Sequence, residues 1–347
     1  MKHVVLSTLF FLSLFSCSSG DQYEQAHKWS WDDFKEQKQL QGQVLEFDSL
    51  VMKPNDLRVY DSLLITINYN CDKLFHVFNL NTKKQVGQRI GRGQGPNEML
   101  QPRFVEGKKD VIQVFDMATS RVYEYAVQDF AYNPNPQPIR NIKLEKNIFI
   151  NACEIGNQIY GYAYNPKYQL MAFDEQGKKK KELIDFPPST ISYSDTEKTD
   201  AFYMNFITDQ KDKIVICYCM TDLIEIYHTD GTLVGRLHGP DGFFARFQEV
   251  HDGEVTTSSP EKGRTRDAFF SPENAGDEFF VLYSGKYIDA EDYSQLSYQL
   301  FSFTWDGKPQ CLYNLSDDIF TCTVDTQRKK IYGISDDPEF HIVEFDY

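Results

Sequence analysis

The stretch IEIYHTDGTLVGRLHG, residues 224–239, decides the fold. Apolar residues alternate with polar ones from Ile224, Asp230-Gly231 supplies tight-turn chemistry, and a second run closes at Gly239, so the segment reads strand, turn, strand. The same unit returns as VFNLNTKKQVGQRIG (77–91), LMAFDEQGKKKKELIDF (170–186) and QLFSFTWDGKPQCLYNL (299–315). A hairpin recurring at set positions within longer units predicts radial β architecture, a β-propeller.

Working outward, residues 57–90, 103–145, 148–186 and 202–238 form four such units. The fifth is interrupted by the polar stretch 239–276, read as a long insertion loop or an irregular inner strand, and resumes at Glu278. The sixth begins near Ile319 and stops one strand short at Tyr347. Residues 43–50 (QVLEFDSL) alternate like a strand but have no unit of their own. Pairing them with 340–347 would close the circle and remove its open edge. The expectation is therefore all-β: a six-bladed propeller of four-stranded antiparallel blades over 43–347, sealed by an N-terminal strand.

A chain of 347 residues suits one large all-β domain, and its 27 phenylalanines and 21 tyrosines suit strands stacked face to face. A formal net charge of -15 argues against a nucleic-acid partner.

At the N-terminus, Lys2 and His3 precede an apolar run over 4–15 that is too short to span a bilayer stably. The run ends in Leu14-Phe15-Ser16-Cys17, which resembles a bacterial lipobox. The reading is a signal peptide over 1–16, a lipid on Cys17 and a polar tether over 17–42. The lipid would hold the propeller at a membrane of the cell envelope, on the extracytoplasmic side (periplasmic or outer-membrane surface). Trp29 and Trp31, within the tether, are expected to dock on the domain, the alternative being a place near the membrane interface. Cys17 also accounts for the odd one of seven cysteines; Cys217 and Cys219 read as small apolar strand residues.

Between the first two units lies Arg89-Ile90-Gly91-Arg92-Gly93-Gln94-Gly95-Pro96-Asn97-Glu98. Gly91, Gly93 and Gly95 would permit a tight path with positive φ, Pro96 would fix the exit, and Glu98 would accept backbone N–H groups. Two readings stay open: a structural staple, or ligand contact through Arg89, Arg92 and exposed N–H groups. The spacing fits neither a dinucleotide fingerprint nor a P-loop. With the lipobox and the hairpin repeats, this loop resembles the TolB-like six-bladed β-propeller lipoproteins of Bacteroides and relatives. The resemblance implies a ring of four-stranded sheets and an extracytoplasmic location, and it implies no activity.

No Gly-x-Ser-x-Gly or His-Glu-x-x-His pattern occurs, and the seven histidines are scattered, so no catalytic residue is nominated. The acidic runs 195–200 and 289–292 could supply oxygens to calcium; otherwise neither metal nor cofactor is expected. The leading expectation is a non-catalytic binding or scaffold propeller for a protein, peptide or glycan partner. The alternative is a metal-dependent hydrolase or lyase of the propeller-lactonase kind. Its site would lie in the central channel, with Asn151, Glu154, Asn205 and Asp267 as candidate lining residues.

Overall fold

The computed structural model describes residues 22–106, 110–145, 149–291 and 296–347. The apolar run and Cys17 lie outside them, as does Asp292 of the second acidic run. Six antiparallel sheets follow one another along the chain, and their first strands form the inner wall. These are Asp56–Tyr60, Pro102–Val105, Phe149–Ile155, Met204–Thr208, Phe269–Asn274 and Thr321–Asp325. Each packs against the next, and the sixth returns to the first. The circle is closed.

Alternation explains how the blades stack. Side chains of a strand point to both faces, and each propeller blade is covered on both. The middle strands are accordingly buried along most of their length: Leu63–Ile67 is buried at every position. The core therefore lies between neighbouring sheets rather than at one centre. Phe75 of the first blade meets Phe104 and Phe130 of the second, with ring centroids 5.9 and 5.3 Å away.

Closure occurs as expected, over a shorter span. Residues Gly42–Val44 pair antiparallel with His341–Asp346, in the register Val44 to Val343, Gln43 to Glu344 and Gly42 to Phe345. Leu45 N–H adds a bond to the Ile342 carbonyl at 2.8 Å. Beyond Leu45 the expected strand stops, and 46–50 carry no regular structure.

The described part of the expected tether is no tether. Ala26–Lys28 pairs parallel with the outer strand of the fourth blade, and Glu36–Leu40 pairs parallel with that of the fifth. Between them, a 3-10 turn over Trp31–Asp33 is held by Ser30 and Asp33. Both tryptophans dock: Trp29 is buried, edge-on to Phe34, Phe301 and Phe303, and Trp31 meets Phe301 and Tyr283. Residues 22–45 thus form a belt that covers three outer edges in turn.

Among the described residues, two short α-helices interrupt the strands, Val127–Tyr132 and Asp195–Ala201. The second contains the acidic run 195–200 and begins in a Ser194–Glu197 capping box. The polar stretch 239–276 proves to be both things considered for it. It contains an exposed hairpin, Phe247–Asp252 with Val255–Pro260, and then the inner strand of the fifth blade.

Candidate functional site

A cavity of 490 Å³ opens at the end of the channel where the inner strands begin, and every blade contributes to it. Its charged and amide lining comprises Asn55, Asp56 and Arg58 of the first blade, Arg103 and Glu106 of the second, Asn151 of the third, Asn205 of the fourth, and Asp267 and Glu273 of the fifth. Phe320 and Thr321 come from the sixth. A second cavity of 740 Å³ lies toward the opposite end, and the two share Arg58, Val105, Glu106 and Glu273. These residues form the waist of the channel.

The waist is made by a local irregularity. The inner strand of the fifth blade changes register between Phe270 and Glu273, and Ser271 takes a φ of 47° just before Pro272. Its hydroxyl oxygen accepts the Cys322 N–H at 3.0 Å, which fixes the bulge to the sixth blade. Bulges re-aim side chains. This one carries Glu273, whose carboxylate meets Arg58 Nη1 of the first blade at 2.7 Å.

Burial sets the electrostatics here. Loss of water pushes the Glu106 carboxyl up to about 7, against the opposing pull of the Thr208 N–H and Arg58. Burial likewise lifts Glu273 to about 8; Arg58 opposes the rise, and Glu106 adds to it. Asp56 is also raised by burial, although it accepts the Leu57 and Phe104 N–H groups at 2.8 and 3.1 Å. Nearer the mouth, burial works against the Arg103 charge. The phenols of Tyr203 and Tyr69, with Asp56, outweigh it and hold the guanidinium above its ordinary value.

The channel candidates separate. Asn151, Asn205 and Asp267 come together at the mouth, whereas Glu154 does not. Glu154 is buried among blade residues, where Arg140 donates to it at 2.7 Å and Gln113 at 3.1 Å. Among the described residues no three histidine, cysteine, aspartate or glutamate side chains gather as a metal site would require. The waist carboxylates are matched by a guanidinium and backbone N–H groups, so the residues present do not fit a channel metal.

None of Arg89, Gly91, Arg92, Gly93, Gly95, Pro96 or Glu98 lines the mouth cavity. Arg89 is buried and donates to the carbonyls of Phe130 (2.8 Å) and Ala131, the last turn of the first helix. Arg92 donates to the Tyr69 carbonyl at 3.0 Å. Glu98 turns back into its own loop and accepts the Gly95 N–H at 2.8 Å. Positive φ falls on Ile90 and Asn97, not on the three glycines. Space is what they provide: a Cβ on Gly93 would lie 2.1 Å from the Glu98 carboxylate.

Arg58, Glu106, Glu273 and Arg103 were missed as site residues from sequence. A signal existed for two of them: Arg58 stands between Leu57 and Val59, and Arg103 precedes Phe104-Val105. A charge inside an apolar strand faces solvent, a lined channel or, as Glu154 does, a buried partner.

Fold and channel together define a six-bladed β-propeller with a polar mouth and a charged waist. The chain belongs to the TolB-like 6-blade propeller-like family, which matches residues 33–327. A DUF4221 family member from Bacteroides vulgatus is similar, with a TM-score of 0.55 at 10% identity, over 88% of this chain and 95% of that one. A candidate exported protein of Bacteroides fragilis gives a TM-score of 0.49 at 11% identity, over 89% and 98%. At such identities the likeness is one of fold. No curated protein matches the chain.

Proposed function

We propose that this propeller is a non-catalytic binding protein of the cell envelope, anchored through a lipid on Cys17 on the extracytoplasmic side. Its mouth face would hold a protein, peptide or glycan partner. The observation that carries the reading is the convergence of all six blades on one polar, aromatic-walled cavity. A concave pocket of this size is the usual form of a binding site. The same face carries the elaborations. Connections between outer and next inner strands lie on it, including the exposed hairpin over 247–260, and exposed Tyr164, Val250, Val255 and Tyr287 stand on its loops. The anchor is supported by the lipobox-like LFSC sequence over 14–17.

Photo-crosslinking in intact cells tests the binding reading. A photoreactive residue at Tyr203, Val250 or Tyr287 should yield a discrete adduct, and one at Gln327 near the opposite mouth should not. Adducts at Gln327 alone, or at none of the mouth positions, would contradict it. Metabolic labelling with an alkyne fatty acid, lost in Cys17→Ala, tests the anchor separately.

A further inference from the structure

The mouth cavity holds hydrogen-bond donors that the chain itself does not use. Its carboxylates are all engaged: Glu273 by Arg58 at 2.7 Å, Asp56 by two backbone N–H groups, and Glu106 by the Thr208 N–H at 3.0 Å. Asp267 makes a polar contact of its own. Arg103 differs. Among the described residues no carboxylate lies within ion-pair distance of it; the phenols of Tyr69 and Tyr203 are its neighbours, and the Asp56 charge acts on it from beyond that distance. Two amides beside it are also half-used. Asn151 accepts the Ala152 N–H at 2.9 Å, and Asn55 accepts the Tyr69 N–H at 3.1 Å, both through Oδ1. Each keeps an NH₂ group to donate.

A guanidinium with no carboxylate within ion-pair distance keeps donors free for an acceptor-rich anion. The surrounding carboxylates restrict which anion. A dianion such as phosphate would meet Asp56, Glu106, Asp267 and Glu273 within one cavity, whereas a monoanion adds a single repelled charge. A planar guanidinium also matches a carboxylate by two parallel bonds.

We propose that the mouth cavity is a carboxylate site, in which Arg103 pairs with the single carboxylate of a small acid or a peptide chain end. The Asn55 and Asn151 amides complete its hydrogen bonds. The rest of the ligand lies against Phe104, Tyr203 and Phe270, which line the same cavity. This rests on the reading of the mouth as the binding face, which crosslinking from Val250 on the hairpin tests independently.

The full-length chain, purified in detergent, is titrated calorimetrically with acetate and the tripeptide Ala-Ala-Ala. Acetamide, the tripeptide amide and inorganic phosphate serve as comparisons. At least one carboxylate should saturate the protein, its amide should bind about tenfold more weakly or worse, and Arg103→Gln should lose a similar factor. Arg92→Gln, outside the cavity, should bind normally. Preference for the tripeptide marks a chain end as the ligand, and preference for a free acid marks a small metabolite; either supports the site. Should Arg103→Gln not fold, Asn151→Ala, checked by circular dichroism, should weaken binding about threefold. Saturation by no carboxylate, equal binding of acid and amide, or tighter binding of phosphate would overturn the assignment.

Discussion

Gly231, at the tip of the outer hairpin of the fourth blade, rests against the carbonyl of Leu183 in the outer strand of the third. A Cβ on Gly231 would lie 2.7 Å from that oxygen. The contact recurs around the ring. Gly177 rests in the same way on the Lys143 carbonyl of the second blade, and Gly307 on the side chains of Leu237 and Ile226 of the fourth. The recurring glycine tip thus serves two purposes. It turns the hairpin, with φ of 94° at Gly231, and in these three blades it permits close approach to the preceding one.

Gly231→Ala should therefore destabilise the protein by about 1–3 kcal/mol, through backbone strain and steric conflict together. Gly235→Ala, with no atom near its Cβ, is the control. Urea unfolding should separate the two variants. Equal midpoints would mean that the blade contact is loose.

The belt makes a second prediction. Trp29→Ala removes a buried ring that touches Phe34, Phe301 and Phe303, and should cost about 3 kcal/mol or more. A tether would tolerate the change without loss. Thermal unfolding monitored by circular dichroism measures the difference.

The waist predicts a pH dependence. Glu106 and Glu273 have folded-state values near 7 and 8, above those of the unfolded chain, so the folded state binds more protons between about 4.5 and those values. Their contribution is fully present below the unfolded value and is lost as pH rises through the folded one. The slope is up to about 1.4 kcal/mol per pH unit per group. Glu106→Gln should remove its share, making stability flatter than wild type from pH 5 to 7. An identical slope in the variant would place the proton elsewhere.

Much of this fold was legible in the sequence, because each blade carries its own turn signal and its own alternation. Asp230-Gly231 and Asp306-Gly307 mark hairpins wherever they stand, and the missing final strand pointed to residues just before the first unit. The belt was not legible. Glu36–Leu40 adds to an already complete sheet edge with four exposed residues of five, so neither alternation nor apolar content betrays a strand. Its warrant is backbone hydrogen bonding, which leaves no side-chain pattern. The loop glycines were read through φ, whereas their reason is the volume occupied by the Glu98 side chain. The mouth was legible only in part. Asn151, Asn205 and Asp267 were found as polar inner-wall residues. Glu154, on the same strand as Asn151, points between blades instead, because a strand offers its residues to opposite faces.

All of the mouth depends on the ring being a single closed circle, and Gln43 facing Glu344 is where it closes. Directly paired residues of antiparallel strands are close enough for a disulfide. The most direct measurement is oxidation of the Gln43→Cys, Glu344→Cys double variant, followed on non-reducing gels with each single variant as control. The account predicts rapid, near-complete formation of an intramolecular bond in the double variant alone. A double variant that stays reduced while folded, or that links only between molecules, would contradict it.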